Sequence, residues 1–104
     1  MSSTPTFLYR TKDLTDSDSP YDVQREDQVL RVSNNSEFRI NLEPAENSLY
    51  RKLIIKKSGG KNNKKIKVYG NGSETVDGDD YQDFKKLKES VTIYPVDGVG
   101  WETE

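Results

Sequence analysis

The sequence predicts an all-β fold, a small antiparallel β-sandwich of jelly-roll or Greek-key type. Three observations predict it. Short pieces alternate apolar and polar residues, the period of a strand with one face buried. Gly, Asn and Asp clusters separate them at intervals of roughly eight to twelve residues, the spacing of sandwich strands. No segment sustains a helical period, and no internal repeat is visible.

The first twenty residues carry Ser, Thr, Pro and Asp around one apolar knot, Phe7, Leu8 and Tyr9. They read as an extended arm, flexible or bound to a partner (residues 1–20), preceding a β-sandwich domain (residues 21–104). Strand character begins at Tyr21, and a hinge at Arg25-Glu26-Asp27 separates YDVQ from QVLRVS, where Leu30 and Val32 flank Arg31. Asn34-Asn35 signals a turn, because Asn tolerates positive φ. SEFRINLEP gives the clearest alternation: Phe38, Ile40 and Leu42 on one face, Glu37, Arg39 and Asn41 on the other. Pro44 ends that strand by withholding a ladder donor.

Residues 45–49 form a connection with room for a helical turn. RKLIIKK follows, and its three consecutive apolar residues imply that Ile54 is covered on the face opposite Leu53 and Ile55. SGGKNN supplies the positive-φ positions of a hairpin, from which KKIKVYG pairs back with Ile66 and Val68 inward. After the turn NGSETVDGDD, the residues Tyr81, Phe84 and Leu87 stand three apart; irregular β is preferred there over a short helix. SVTIYPVDGVGW closes the domain with Val91 and Ile93 inward, a turn at Asp97-Gly98, and Trp101 in the core.

Composition narrows the function classes. Hydrophobic residues make up 31% of the 104 residues and charged residues 33%, and the mean hydropathy is −0.96. So thin an apolar supply implies that part of the chain is disordered and that copies share a core through an oligomer interface. Cys and His are absent, which removes thiol nucleophiles, disulfides, the usual zinc sets and the commonest acid–base residue near neutral pH. No residue set asks for catalysis, and no cofactor or metal is expected. The carboxylates of Glu74, Asp77, Asp79 and Asp80 lack the spacing of a calcium loop and read as turn formers. No apolar run reaches the roughly twenty residues a membrane span needs, and the N-terminus lacks the basic and apolar regions of a signal peptide.

The net charge of −2 conceals segregation. Bases crowd between Arg51 and Lys67, while acids concentrate in residues 13–27 and 74–83. Opposed poles suit docking to a charged neighbour or to another copy. Arg51, Lys52, Lys56, Lys57, Lys65 and Lys67 are the candidates for a polyanion or capsid contact. The competing reading makes them the solvent face of two strands, guarding against edge-to-edge aggregation. Nucleic acid is disfavoured as a partner, because the chain is net acidic and only Tyr50 and Tyr69 lie near for stacking. Phe7, Leu8 and Tyr9 are the candidate anchor of the arm. Trp101 and Tyr94 have the chemistry to stack on a sugar, with core filling as the preferred role for Trp101.

The order of these pieces resembles a β-module of bacteriophage head-decoration, head-fibre and tail-fibre proteins. Residues 28–33 with Asn34-Asn35 occupy its first element, and residues 38–44 match its strand ending in Pro. Leu53 to Gly60 matches the strand leading into paired glycines. Residues 66–70 and Thr75-Val76-Asp77-Gly78 match the next strand and its turn, and residues 90–94, Asp97-Gly98 and Trp101 match the close. The resemblance covers about Tyr21 to Trp101. It implies a trimerising sandwich without catalytic activity, made in the host cytoplasm and carried on the virion. Its expected partners are itself, as a homotrimer, and a major capsid protein or other virion protein. A tail-fibre or receptor-binding tip touching host surface glycan is the alternative, followed by a non-viral carbohydrate- or polyanion-binding module. Two features depart from the family. Lysines alternate with apolar residues where Thr, Ser and Asn are usual, and the chain carries no fibre shaft, which fits a capsid decoration protein or short head spike.

Overall fold

The computed structural model describes residues 10–49 and 51–104. Ten strands form two packed sheets: β1 (Arg10–Thr15), β2 (Tyr21–Asp22), β3 (Asp27–Asn34), β4 (Phe38–Asn41), β5 (Leu53–Gly60), β6 (Ile66–Tyr69), β7 (Thr75–Val76), β8 (Tyr81–Phe84), β9 (Ser90–Val96) and β10 (Gly100–Thr103). The six-stranded sheet runs β1-β3-β5-β9-β10-β7 and the four-stranded sheet β2-β4-β6-β8. Two short 3-10 turns, Asp16–Asp18 and Ala45–Asn47, are the helical elements among the described residues.

The all-β expectation holds, and the antiparallel one does not. From β1 to β6 the chain crosses from one sheet to the other at every step, so spatial neighbours are a full circuit apart and run the same way. β1 pairs β3, β3 pairs β5, β2 pairs β4 and β4 pairs β6, all parallel. Antiparallel pairing enters only where the winding ends, at β5–β9, β6–β8 and β9–β10. This is a short wound sandwich, neither a jelly roll nor a Greek key. The turn signals were real, but they mark corners between sheets. The SGGKNN segment makes no hairpin: β5 and β6 lie in different sheets, and the Lys61–Lys65 corner carries the chain between them. Gly60 shows why glycine stands there. Its φ is +87°, and a Cβ would sit 2.0 Å from the Asn34 carbonyl oxygen.

The alternation of each strand survives this change of topology, because it depends only on which face is buried. Leu30, Val32, Leu53 and Ile55 from the larger sheet meet Phe38, Ile40, Ile66 and Val68 from the smaller one, all at 2% exposure or less. Trp101 is fully buried and its indole Nε1 donates to the Glu43 carbonyl oxygen at 3.1 Å. Ile93 is buried as expected, and residues 81–84 form a strand rather than a helix.

The expected arm is corrected from Arg10 onward. Residues 10–15 are an edge strand of the larger sheet, with Leu14 buried between the layers. One apolar residue in six left too sparse a pattern to read, and main-chain pairing with β3 supplies the missing stabilisation. Phe7, Leu8 and Tyr9 lie outside the described residues.

A buried carboxylate fixes that first circuit. Asp27 is fully buried and accepts from Arg10 Nε at 2.7 Å, Tyr21 Oη at 2.6 Å and the Gln24 amide at 2.8 Å. It thereby joins β1, β2 and β3. Burial, and then the hydrogen bond to Asp27, push the Tyr21 phenol up to about 12. Asp27→Ala should cost about 2 kcal/mol in urea unfolding, the scale for losing a hydrogen bond to a charged group, here with Arg10 partly exposed. Asp13→Ala, which loses only the exposed pair with Arg31, should cost under about 1 kcal/mol. The Tyr21 shift also has a signed consequence. A phenol raised in the fold contributes stability that is complete below about pH 10 and lost as pH rises toward 12. Tyr21→Phe should therefore flatten the fall in stability over that window, measured by urea titrations at fixed alkaline pH.

Candidate interaction surface at a lysine corner

The wound topology places all corners of one kind at the same end of the molecule. Two of them, Lys61–Lys65 between β5 and β6 and Lys85–Glu89 between β8 and β9, lie against each other. The Asn63 amide donates to the Lys85 carbonyl at 3.2 Å, the Leu87 amide to Asn62 Oδ1 at 3.4 Å, and the Lys88 amide to the Lys57 carbonyl at 2.8 Å. Asn63 and Lys88 take φ of 70° and 69°, the left-handed conformation that lets each corner reverse in so few residues. The result collects Lys61, Lys64, Lys65, Lys85, Lys86 and Lys88 on one exposed pole. Leu87, 43% exposed, stands among them. Apolar contact is thus available inside a cationic surface.

The pole is pinned from beneath by Lys57, which is fully buried. Its Nζ donates to Asn34 Oδ1 at 2.6 Å and to the Lys64 carbonyl at 3.0 Å. Asn34, also fully buried, donates from Nδ2 to the Ser36 carbonyl at 2.8 Å. Burial lowers the Lys57 pKa, and the nearby Asp16 charge opposes that shift. The Asp16 carboxylate accepts from the Asn35 amide at 3.0 Å and the Ser36 amide at 3.3 Å. Those bonds, the Asn35 one first, hold it below the usual carboxylate range.

The opposite end is acidic by the same geometry. The corner at residues 70–80 brings Glu74, Asp77, Asp79 and Asp80 there, beside Glu43, Glu46 and Asp97. Glu74 Oε1 accepts from the Ala45 amide at 3.0 Å, which joins two of these corners. The molecule is charged lengthwise, along the strands.

The six basic residues singled out by sequence do not form one surface. Arg51 and Lys57 are buried and face no partner, which corrects their assignment as contacts. The Arg51 guanidinium lies under the residue 24–25 corner, with Nη1 bonded to the Arg25 carbonyl and 3.7 Å from Glu43. Its Nε and Nη2 find no partner among the described residues. Lys52 pairs with Glu104 and Lys56 stands exposed on the outer face of the larger sheet. Lys67 is on the outer face of the smaller sheet, 3.2 Å from Glu37 and 5.1 Å from the Tyr81 ring centroid. Lys65 alone belongs to the pole, where it pairs with Asp83 at 3.7 Å. Lys61, Lys64, Lys85, Lys86 and Lys88 were not singled out. The signal for the last three was Lys-Lys-Leu-Lys between two strands, which a period-based reading treats as part of an element.

A second surface lies on the outer face of the smaller sheet. Tyr69 and Tyr81 pair across β6 and β8 with ring centroids 4.9 Å apart, and the Arg39 guanidinium carbon lies 3.7 Å from the Tyr69 centroid. Tyr94, on the larger sheet, donates its hydroxyl to Glu102 at 3.1 Å.

No family model, curated protein or solved structure matches this chain.

The pole should be visible in solution despite the net negative charge. At low ionic strength (about 50 mM, where screening is weak) the protein should be retained on a heparin column. The triple variant Lys61→Glu, Lys64→Glu and Lys86→Glu should elute unretained with its melting temperature little changed, since exposed substitutions shift stability by about 0.5 kcal/mol or less. Lys52→Glu with Lys56→Glu should leave retention intact.

Proposed function

We propose that this chain is a bacteriophage virion structural protein, a capsid decoration protein or short head spike that acts by association and not by catalysis. The observation that carries the reading is the lysine pole. Six exposed lysines around an exposed leucine, on a body whose other end is acidic, suit docking on an acidic shell surface in a fixed orientation. The order of sequence elements from Tyr21 to Trp101 supports the same class. Lys61, Lys64, Lys85 and Lys86 are then the contacts to the major capsid protein.

The trimeric form belongs to this proposal too. On the outer face of the larger sheet, Val29, Ile54 and Thr92 stand side by side on β3, β5 and β9, and all three are half-buried. That row, two apolar residues and a threonine, is where copies would meet; within the single chain Ile54 is half-buried on an outer face and not covered.

The glycan-contacting reading keeps second place on one observation, the Tyr69–Tyr81 pair with Arg39 beside it, which offers rings and polar groups on an open sheet face.

Two measurements test the proposal. Light scattering coupled to size exclusion should give three times the mass of the 104-residue chain, and Ile54→Lys should give the monomer. Particles of the virus that encodes the chain should contain it, and particles assembled with the Lys61, Lys64 and Lys86 reversal should lose it by several-fold. Full occupancy with the reversed pole would overturn the docking assignment. Glycan binding with no particle binding, abolished by Tyr69→Ala and Tyr81→Ala, would put the second reading first.

A further inference from the structure

The two sheets have unequal numbers of strands, and the inequality leaves an opening. β8 is the last strand of the smaller sheet, while the larger sheet continues past the same level through β9, β10 and β7. Between them lies a cleft of about 490 Å³. Its floor is apolar, built from Val68 and Phe84 on one side and Val91 and Ile93 on the other. Gln82 closes one end by donating from Nε2 to the Val76 carbonyl at 3.2 Å and to Asp79 at 3.0 Å.

One wall of this cleft is a free strand edge. The Gly70 amide donates to the Asp80 carbonyl at 3.2 Å, so in the antiparallel β6–β8 ladder the even-numbered residues of β8 face β6. The peptide groups of Tyr81 and Asp83 therefore point outward, and no main-chain partner meets them among the described residues. The charge of the lining is one-sided. Asp77, Asp83, Glu89 and Glu104 line the cleft, and among the described residues no Lys or Arg does. Lys65 reaches Asp83 and Lys52 reaches Glu104 only from outside, through exposed pairs of the kind that exchange partners at little cost. Asp77 is engaged with the Thr103 amide and hydroxyl, and Glu89 with the Lys86 amide.

The geometry points to a strand-addition site. An extended segment of a partner protein, alternating lysine or arginine with β-branched residues, adds to β8 as a fifth strand of the smaller sheet. Its apolar side chains enter the cleft, and the cations that alternate with them fall on the outer face beside Asp83, with Glu89 at the end of the edge. Main-chain bonds to Tyr81 and Asp83 supply general affinity, and the acidic rim selects for charge. This site is separate from the lysine pole and stands whether or not the chain belongs to a virion.

The test uses the full ¹⁵N-labelled chain and a capped heptapeptide alternating lysine and valine, with a glutamate–valine heptapeptide as control. The lysine peptide should shift the Tyr81 and Asp83 amides saturably and slow their hydrogen exchange at least tenfold, and the glutamate peptide should do neither. Val91→Trp, which fills the cleft, should abolish the effect. Should that variant fold poorly, Asp83→Lys with Glu89→Lys alters only exposed positions and should weaken binding at least tenfold. Non-saturable shifts, shifts confined to the Asp79–Asp80 corner, or equal response to both peptides would each overturn the proposal.

Discussion

Crossing between the two sheets at nearly every step is the constraint from which the rest of this structure follows. A chain that leaves one layer for the other turns its backbone through a corner, and some of the peptide groups there are shut off from water. This protein meets the demand with buried polar side chains at both ends of the strands. Asn34 and Lys57 hold the corners at one end, and Asp27 with Arg10 and Tyr21 holds the first circuit at the other. Each of these groups touches more than one circuit. Layers of apolar residues fill the space between, but they are few, and the polar corners decide which strand lies beside which.

Much of this was legible in the sequence, and the part that was not has a physical reason. The inward residues of β3, β4, β5, β6 and β9 follow from alternation alone, since a strand buries the same face whether its neighbour is parallel or antiparallel. Pairing direction was not legible. Asn34-Asn35 and Gly59-Gly60 announce a reversal, but a hairpin and an inter-sheet corner draw on the same turn residues, and of these four only Gly60 takes a positive φ. β1 was missed because only Leu14 among its six residues is apolar and buried. Lys57 was misplaced because a lysine at an inward position looks like an irregularity in the pattern, and its partner Asn34 is far off in sequence. The lysine pole was half seen, since its two segments meet only through the fold.

The lengthwise separation of charge also comes from the winding. Corners at one end hold most of the exposed lysines and corners at the other most of the acids, while the sheets between present mixed and aromatic faces. Two small domains with this polarity attract end to end and repel side by side in the same orientation, so any lateral assembly needs apolar contact such as the Val29–Ile54 row to overcome like charges.

Insertions are felt very differently in the two parts of this body. One residue added within β3 or β5 would reverse the facing of every side chain beyond it and disrupt two neighbours at once, whereas the exposed lysine side chains of residues 61–65 and 85–89 lie outside the ladders and can be exchanged while the main-chain bonds between the two corners stay in place. Descendants of this sequence can therefore exchange one docking partner for another by rewriting two short corners, while the wound scaffold stays under the strictest selection. Partner choice and fold can evolve separately.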